Sequence, residues 1–210
     1  MYILIEGMPC TGKTTVSKRL AQMTGSMYLK SVLSNTKLGE MLKSLRNQDD
    51  KTLEYLYATD SILQELKTIN LLKKGHGIIR DKSFLSSLAH ISTHGYENYQ
   101  QPYKNIVEEL YVELCEESVM PDFVVLIEPD FARIDEYKKK KPDLSPIDLR
   151  LIDDPDMYRI QHGNLKNLLS HLYKDRLYLI KSFSMSVEES CRDILLKYKE
   201  RRGKNEGRIN

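Results

Sequence analysis

The sequence predicts an α/β domain, a three-layer sandwich in which helices cover both faces of a five-stranded parallel sheet. Two observations lead to this prediction. Five apolar runs of three to five residues alternate with longer segments of helical periodicity. Strands that alternate with helices form parallel sheets, whose buried strands are continuously apolar. Because no repeat or linker divides the chain, we expect residues 1–210 to form one domain.

The predicted strands are apolar runs that end at turn residues. Glycine follows the first run within two residues, and Pro129 marks the end of the fourth. The second run is the weakest because it is the shortest. In chain order the predicted strands are Tyr2–Ile5, Met27–Leu29, His76–Arg80, Phe123–Ile127 and Leu177–Ile180.

The predicted helices connect these strands. The first covers about Lys13–Met23, directly after a glycine-bearing turn. Apolar residues recur at helical spacing over Leu53–Leu72, and Gly75 is a stop signal after them. Another helix opens near Ser83, and Val187–Tyr198 is the last. The carboxyl ends of parallel strands, where these helices begin, are where ligands bind in such sheets.

Composition excludes several classes of protein. The chain has 32 basic and 30 acidic residues, a net charge of +2, which is too balanced for a dedicated nucleic-acid binder. Its longest apolar runs have five residues, far below the roughly 20 that span a bilayer, and the first residues lack a secretory-signal pattern. Three widely spaced cysteines form neither a disulfide framework nor a zinc pattern, which favours the cytoplasm. We expect residues 203–210, with two glycines and few apolar side chains, to be frayed.

Residues 7–14 read G-M-P-C-T-G-K-T and match the phosphate-loop pattern G-x-x-x-x-G-K-[ST] between a predicted strand and a helix. In such a loop successive N–H groups point at a phosphate, and the helix that follows adds its positive end. Lys13 is expected to meet the β- and γ-phosphates, and the Thr14 hydroxyl to meet Mg²⁺. Cys10 lies near a helix amino end, an environment that lowers a thiol pKa. The residues expected to bind ATP are Gly7, Met8, Pro9, Cys10, Thr11, Gly12, Lys13, Thr14 and Thr15.

The loop places the domain among P-loop NTPases and leaves the reaction open. No asparagine is followed by lysine, so the N-K-x-D element of GTPase switches is absent from the sequence. The length disfavours a large ATPase motor. A small phosphotransferase remains, in which positioning and charge neutralisation supply most of the catalysis.

Four further segments carry motifs in a fixed order. They read T-K-L-G-E at residues 36–40, L-E-Y-L-Y-A-T-D at 53–60, D-K-S-F-L-S-S-L-A at 81–89 and P-D-F-V-V-L at 121–126. With the phosphate loop they resemble the motifs T-P-L-G-E, E-x-L-L-F-x-A-x-R, D-R-Y/F and P-D-L-x-x-x-L of the thymidylate kinase family. The resemblance covers residues 2 to about 128. It implies an ATP- and Mg²⁺-dependent kinase of nucleotides, and family members commonly form homodimers.

The chain departs from that family at arginine positions. Residues 31–35 read S-V-L-S-N where the family has R-E-P-G-G, and Ser61 replaces a substrate-binding arginine. Lys82 stands where the family has the arginine of D-R, and lysine lacks the bidentate phosphate geometry of arginine. Deoxynucleoside kinases, which share the fold, have E-R-S at this place. The D-K-S at residues 81–83 is intermediate between the two patterns.

The resemblance suggests roles for three residues on the acceptor side. Asp81 is either the base toward an acceptor hydroxyl or an outer ligand of Mg²⁺, and its alternative role is a helix N-cap. Lys82 is expected to contact the acceptor or the transferred phosphate, unless it is a solvated surface lysine. Tyr57 occupies the position of the aromatic residue that stacks on the base, although an aromatic at this helical spacing also suits a core.

Residues 138–154 follow the fourth strand, where kinases of the family that this chain resembles have a lid that supplies cations to the γ-phosphate. The run Lys138–Lys141 lies there, between Arg133 and Arg150. Closure of such a lid excludes water and prevents futile hydrolysis of ATP. We expect Arg150 to be the catalytic lid arginine, beside Lys13, Asp81 and Lys82.

The expected function is therefore an ATP-dependent phosphotransferase that acts on a nucleoside monophosphate. Two alternatives stay open. One is a deoxynucleoside kinase that uses Asp81 as base, and the other is a nucleotide-binding regulatory protein that lacks acceptor chemistry.

Overall fold

A computed structural model of the chain describes residues 1–30, 51–83, 85–86, 89, 120–141, 144 and 146–206. Its strands form one parallel sheet in the spatial order β2-β3-β1-β4-β5. The predicted five-stranded parallel sheet is thus confirmed. The strands are β1 Tyr2–Gly7, β2 Met27–Lys30, β3 Ile78–Asp81, β4 Phe123–Glu128 and β5 Leu177–Lys181.

Six helices have bounds within the described residues, and they are numbered in chain order. The predicted second helix begins slightly before Leu53, and the last helix continues to Glu206, so it includes half of the segment 203–210. Of two short helices after β4, one lies within the predicted lid segment 138–154 and the other ends just inside its start. The helices are α1 Lys13–Thr24, α2 Lys51–Lys73, α3 Ile134–Lys139, α4 Pro146–Asp153, α5 Pro155–Leu172 and α6 Val187–Glu206. Within the described parts of the chain, no helix is long and apolar enough to cross a membrane.

The core consists of two layers, one on each face of the sheet. Successive residues of a strand point to opposite faces, so Ile3 and Ile5 pack against α1 and α6 while Leu4 packs against α5. Complete burial of each such side chain stabilises the fold by about 1.5–3 kcal/mol. Because the strands are buried on both faces of the sheet, their sequences are continuously apolar.

The strand order places β1 at the centre of the sheet, between β3 and β4. In the registers, Ile5 lies opposite Asp81 of β3 and Gly7 lies opposite Ile127 of β4. The carboxyl ends of the three strands therefore meet at one edge. The loop after β1 and the turn after β3 become neighbours at this edge, which is where ligands bind in parallel sheets.

Candidate active site

The loop between β1 and α1 has the backbone of a phosphate-binding loop. Cys10 and Gly12 have φ values of 64° and 84°, so the chain turns sharply twice before α1 begins. At Gly7, a Cβ atom would lie 2.9 Å from the carbonyl oxygen of Ile127 and 2.9 Å from Thr11 Oγ1. A side chain would therefore displace its neighbours at this position. The amino end of α1 faces the loop and favours an anion there.

The Lys13 side chain folds back across this loop. Its Nζ donates to the carbonyl oxygen of Met8 at 3.1 Å, and Thr11 Oγ1 donates to the same oxygen at 2.9 Å. Burial lowers the pKa of the Lys13 ammonium, and the nearby carboxylate of Asp81 opposes that effect. The Lys13 ammonium has three N–H donors, and the Met8 carbonyl accepts from only one of them. Phosphate oxygens above the loop would supply acceptors for the others.

The expectation of a lowered thiol pKa at Cys10 is wrong. The side chain is partly buried, and burial raises the pKa of the thiol, although Lys141 and Lys13 pull it down. Desolvation disfavours the thiolate more than the nearby positive charges favour it. Cys10 therefore contributes its backbone to the loop, and its sulfur remains a protonated thiol at neutral pH.

Tyr158 of α5 supports the loop, and no sequence motif predicts this. Its hydroxyl donates to the carbonyl oxygen of Pro9 at 2.6 Å, across a separation of 149 residues. The ring is buried and packs edge-on against Phe131. Burial raises the pKa of the Tyr158 hydroxyl far above its ordinary value, so the hydroxyl stays protonated and can donate.

Asp81 lies at the end of β3, one hydrogen bond away from the phosphate loop. Its Oδ2 accepts from the Thr14 hydroxyl at 2.7 Å and from the Tyr28 hydroxyl at 3.0 Å. Its Oδ1 is buried and has no hydrogen-bond partner among the described residues. Because an unpartnered buried oxygen is costly, a cation or a hydroxyl at this point would be favoured.

These groups fit a magnesium ion. In phosphate-loop enzymes Mg²⁺ is held by the loop Ser or Thr, by an aspartate and by the phosphates themselves. Thr14 and Asp81 are this hydroxyl and this carboxylate, with one carboxylate oxygen still unpartnered. The described ranges contain no group of three or more His, Cys, Asp or Glu that could hold a metal, and an ion bound largely by phosphates needs none.

A buried carboxylate that sequence reasoning missed holds the turn after Asp81. Glu6 of β1 accepts from the Ser83 backbone N–H at 2.7 Å and from the Ser83 hydroxyl at 2.5 Å. Its other oxygen accepts from the Ser86 hydroxyl at 2.6 Å. Burial raises the pKa of Glu6, and these hydrogen bonds oppose the shift. The partners are 77 and 80 residues away, so only the folded chain reveals this role.

Lys82 lies between Asp81 and Ser83 with a φ of 71°, in the left-handed region. Its side chain is half-buried. Its positive charge lowers the pKa of Lys13 and of Glu6, which places the ammonium within electrostatic range of both groups. The Lys82 backbone N–H donates to the carbonyl oxygen of Ile5 at 2.9 Å, so the residue lies beside the start of the phosphate loop. The predicted contact of its side chain with a phosphate stays a prediction.

In the segment 138–154, Lys138 and Lys141 act electrostatically on the loop, whereas Arg150 does not. Lys141 lies close enough to influence Lys13 and Cys10, lowering the pKa of each. Arg150, the expected catalytic arginine, has an exposed side chain on α4. An ion pair between Lys138 and Asp153 joins the two ends of the segment.

An aromatic pair lies beside the loop on the β5 side. Phe183 and Tyr137 stack with ring centroids 3.4 Å apart, and a Cβ at Gly12 would lie 3.5 Å from the Phe183 ring. The guanidinium of Arg133 lies 5.0 Å from the centroid of the Tyr137 ring. The pair therefore joins α3 to the loop that follows β5.

Some predicted features lie outside the described residues. The backbone of Tyr57 belongs to α2, but its side chain and that of Ser61 are not among those described. The segment 31–35, which differs from the thymidylate kinase pattern, is also outside them, as is most of the helix predicted to open near Ser83. The base-stacking role of Tyr57 stays a prediction.

Sequence comparison supports the resemblance. A family model described as "Thymidylate kinase" matches residues 5–143. The thymidylate kinase of Buchnera aphidicola is 33% identical over 42% of this chain and 48% of its own length. A probable thymidylate kinase of Methanocaldococcus jannaschii is 32% identical over 46% of this chain and 53% of its own length. The chain thus spans about half the length of the curated relatives it matches.

Comparison with solved structures covers more of the chain. Thymidylate kinase from Candida albicans has a TM-score of 0.71 and 16% identity, over 95% of this chain and 91% of that one. Deoxyadenosine kinase from M. mycoides, solved with dCMP and dCDP, has a TM-score of 0.68 and 16% identity over 95% and 100%. At such low identity these likenesses concern the fold, and they confirm a P-loop NTPase sandwich. Since the family model spans well over half of the 210 residues, the chain belongs to the thymidylate kinase family.

Proposed function

We propose that the chain is an ATP- and Mg²⁺-dependent kinase that phosphorylates a nucleoside monophosphate, with thymidylate as the first candidate. The observation that carries the proposal is the hydrogen bond between Thr14 and Asp81. It joins the loop that would hold the donor to the turn that would face the acceptor. Membership of the thymidylate kinase family supports the choice of reaction.

In this proposal ATP binds with its phosphates on the loop of residues 7–15. Lys13 releases the carbonyl of Met8 and neutralises the transferred group. Thr14 and Asp81 would hold Mg²⁺, which would supply charge neutralisation at the phosphates. No group acts as a base, because the acceptor oxygen of a monophosphate is already anionic.

The cations that surround the loop would complete the site. We assign Lys82 to the acceptor phosphate and Lys141 to the transferred group, since both act electrostatically on Lys13. Arg150 is exposed on α4 and would contribute only if the segment 138–154 closes over the loop. Tyr57 remains the proposed stacking partner of the acceptor base.

A deoxynucleoside kinase is the second candidate, and one atom favours it. Asp81 Oδ1 is buried without a partner among the described groups, so it could accept the proton of an attacking hydroxyl. A free nucleoside needs such a base and a monophosphate does not. A third candidate is a regulatory protein that binds ATP but transfers nothing, motivated by the missing arginines at positions 31–35, 61 and 82.

The test is an ATP-consumption screen of purified protein with the common nucleosides and their monophosphates, at several Mg²⁺ concentrations. The Asp81→Asn variant runs in parallel. Asp175→Asn is the matched control, because Asp175 is exposed in the turn before β5, at the opposite edge of the sheet. We expect turnover with a monophosphate, and a loss of about 10²-fold in Asp81→Asn that higher Mg²⁺ partly restores.

Other outcomes would replace the proposal. Turnover with nucleosides only, abolished in Asp81→Asn at every Mg²⁺ concentration, would make Asp81 a base and the protein a nucleoside kinase. Tight ATP binding without any acceptor would favour the regulatory protein. Turnover that Asp81→Asn leaves intact would remove Asp81 from the site altogether.

We further propose that the protein acts in the cytoplasm as a homodimer. The two cysteines in the described part of the chain, Cys10 and Cys191, are free, as in a reducing compartment. The dimer is proposed from the family alone. Cell fractionation tests the first statement, and sedimentation velocity tests the second.

A further inference from the structure

Two ionisable side chains lie inside the sheet and belong to neither the phosphate loop nor the proposed magnesium site. Glu6 of β1 is 0% exposed, and Arg80 of β3 is 1% exposed. Burial of a charge is costly unless hydrogen bonds and an opposite charge compensate it. Apolar residues fill nearly all other positions of these two strands, so the exceptions call for a reason.

Arg80 distributes its guanidinium between a helix and the turn after its own strand. Its Nη1 lies 2.7 Å from Glu65 Oε2 and donates to Thr68 Oγ1 at 3.1 Å, both on α2. Its Nε donates to the carbonyl oxygen of Lys82 at 3.4 Å. A planar guanidinium can make these contacts in fixed directions, whereas a lysine ammonium on a flexible stem cannot.

Glu6 holds the next residue of the same turn from the other side. Its carboxylate binds the backbone N–H and the hydroxyl of Ser83, as described above. The Lys82 N–H donates to the carbonyl oxygen of Ile5 at 2.9 Å. The peptide groups on both sides of Lys82 are therefore fixed by contacts from β1 and from Arg80.

Lys82, between these contacts, has the left-handed φ of 71°. A residue with a Cβ adopts this conformation only at a cost, and a local strain of this kind persists when the surroundings over-determine it. Relaxation of Lys82 to a right-handed conformation would turn its carbonyl away from Arg80. The strain and the buried charges thus occur at one place.

We propose that Glu6 and Arg80 are positioning residues that together hold Lys82 in its left-handed conformation beside the start of the phosphate loop. The function given to Lys82 rests on the proposed kinase activity, but the restraint on its backbone does not. Arg80 also connects the turn to α2 through Glu65 and Thr68, the helix that carries Tyr57. A single buried guanidinium thereby links the two sides of the proposed acceptor site.

The first test measures strain without any substrate. Lys82→Ala removes the side chain and keeps the Cβ, whereas Lys82→Gly removes both. We expect Lys82→Gly to have the higher urea midpoint, because glycine adopts φ of 71° at little cost. In a Glu6→Gln/Arg80→Lys background the turn is free to relax. We therefore expect the difference in urea midpoint between Lys82→Gly and Lys82→Ala to fall by at least half.

Two results of this cycle would overturn the proposal. Equal urea midpoints for Lys82→Ala and Lys82→Gly in the otherwise natural chain would mean that the turn carries no strain. An undiminished advantage of glycine in the Glu6→Gln/Arg80→Lys background would mean that the strain has another source. Neither result depends on whether the protein is a kinase.

The second test uses activity. Arg80→Lys keeps the charge beside Glu65 but loses the donor to the Lys82 carbonyl, so we expect kcat to fall about tenfold while KM for ATP stays unchanged. Arg176→Lys is the matched control, because Arg176 also donates to a carbonyl, that of Pro121 at 2.8 Å, at the far edge of the sheet. Equal kcat values for the two variants would refute the positioning role. If the natural chain shows no phosphotransfer, the proposed function is refuted, but the comparison of urea midpoints stays valid.

Discussion

The phosphate loop and the Asp81–Ser83 turn lie at the same edge of the sheet, yet the chain builds them in different ways. The loop is closed mainly by contacts between near neighbours, such as Thr11 with Met8 and Val16 with Gly12, and Tyr158 adds one distant contact. The turn depends on Glu6 and Arg80, and the partners of Glu6 are 77 and 80 residues away.

This difference explains why the phosphate loop keeps its family motif in full whereas the Asp81–Ser83 turn departs from it. A loop closed by its own backbone needs glycine at fixed places, so its spacing is a complete motif. A turn held by buried side chains can exchange the residues on its tip as long as the restraints remain. The chain has Lys82 where the family has arginine, while the turn is held firmly.

The largest expected effect concerns the loop. Lys13→Met should lower kcat about 10³-fold, because a preorganised charge at the transferred phosphate is lost. The fold should keep its stability, since burial already lowers the pKa of this ammonium and so disfavours its charged form. Steady-state kinetics and thermal melting check both statements, with Lys174→Met, exposed in the turn after α5, as control. A variant that keeps most of its kcat would separate this loop from phosphotransfer.

The next effect should be on the stability of the turn. Glu6→Ala leaves three buried donors of Ser83 and Ser86 without an acceptor, so we expect a loss of about 3 kcal/mol of unfolding free energy. Glu189→Ala is the matched control, because Glu189 accepts from the N–H and hydroxyl of Ser186 in an exposed place. That variant should lose about 1 kcal/mol or less. Comparable losses in urea denaturation would mean that burial adds nothing at Glu6.

A smaller effect distinguishes the two glycines of the loop. Gly7→Ala should cost about 3 kcal/mol, because its Cβ would collide with the Ile127 carbonyl, which belongs to a central strand. Gly12→Ala should cost only about 1 kcal/mol, the strain of a left-handed φ, since the Phe183 ring is at an ordinary 3.5 Å. Urea midpoints of the two variants give the order. The reverse order would show that the left-handed φ of Gly12 costs more than the close contacts of a Cβ at Gly7.

The smallest effect is a pH dependence. Burial raises the pKa of Glu6 in the folded chain above its ordinary 4.5, so from about pH 4.5 upward the folded chain keeps a proton that the unfolded chain releases. The Glu6 contribution to unfolding free energy therefore falls as pH rises through this window, by at most about 1.4 kcal/mol per pH unit.

Glu6→Gln should remove this contribution. Subtracting its unfolding free energy from that of the natural chain, at each pH from 4 to 8, cancels the other titrating groups. The difference should decline with rising pH and then level off above the folded pKa of Glu6. A difference that rises with pH would mean that the hydrogen bonds from Ser83 and Ser86 outweigh burial.

Much of the fold was predictable because its signals are local. Each described strand contains most of a predicted apolar run, and α1 begins at Lys13 as the motif requires. The helix ends were less predictable, as α6 shows by continuing to Glu206. Polar side chains in that last stretch carry no apolar periodicity, so the sequence gives no reason to extend the helix.

The site was predictable only in part. The phosphate loop was predictable because a complete motif marks it, and Asp81 was predictable because it stands at the end of a strand. The supports at Tyr158, Glu6 and Arg80 were not, because no spacing rule relates them to their partners. Tyr158 and Glu6 reach partners 149, 77 and 80 residues away, and Arg80 reaches Thr68 on another element, 12 residues away. The pKa of Cys10 shows the same limit: the helix end is visible in the sequence, and the burial that outweighs it is not.

By itself the sequence determined the parallel α/β sandwich, the phosphate loop and the edge of the sheet where a ligand binds, because backbone periodicity and glycine spacing act over a few residues. The tertiary structure alone decided which atoms face the loop. It brought Thr14 and Tyr28 onto one oxygen of Asp81, left the other oxygen unpartnered, and held Lys82 in a left-handed conformation. The physical reason is that the pairing of strands brings side chains that are distant in the sequence within hydrogen-bond range. Because a buried polar group without a partner is costly, burial then selects one particular set of partners.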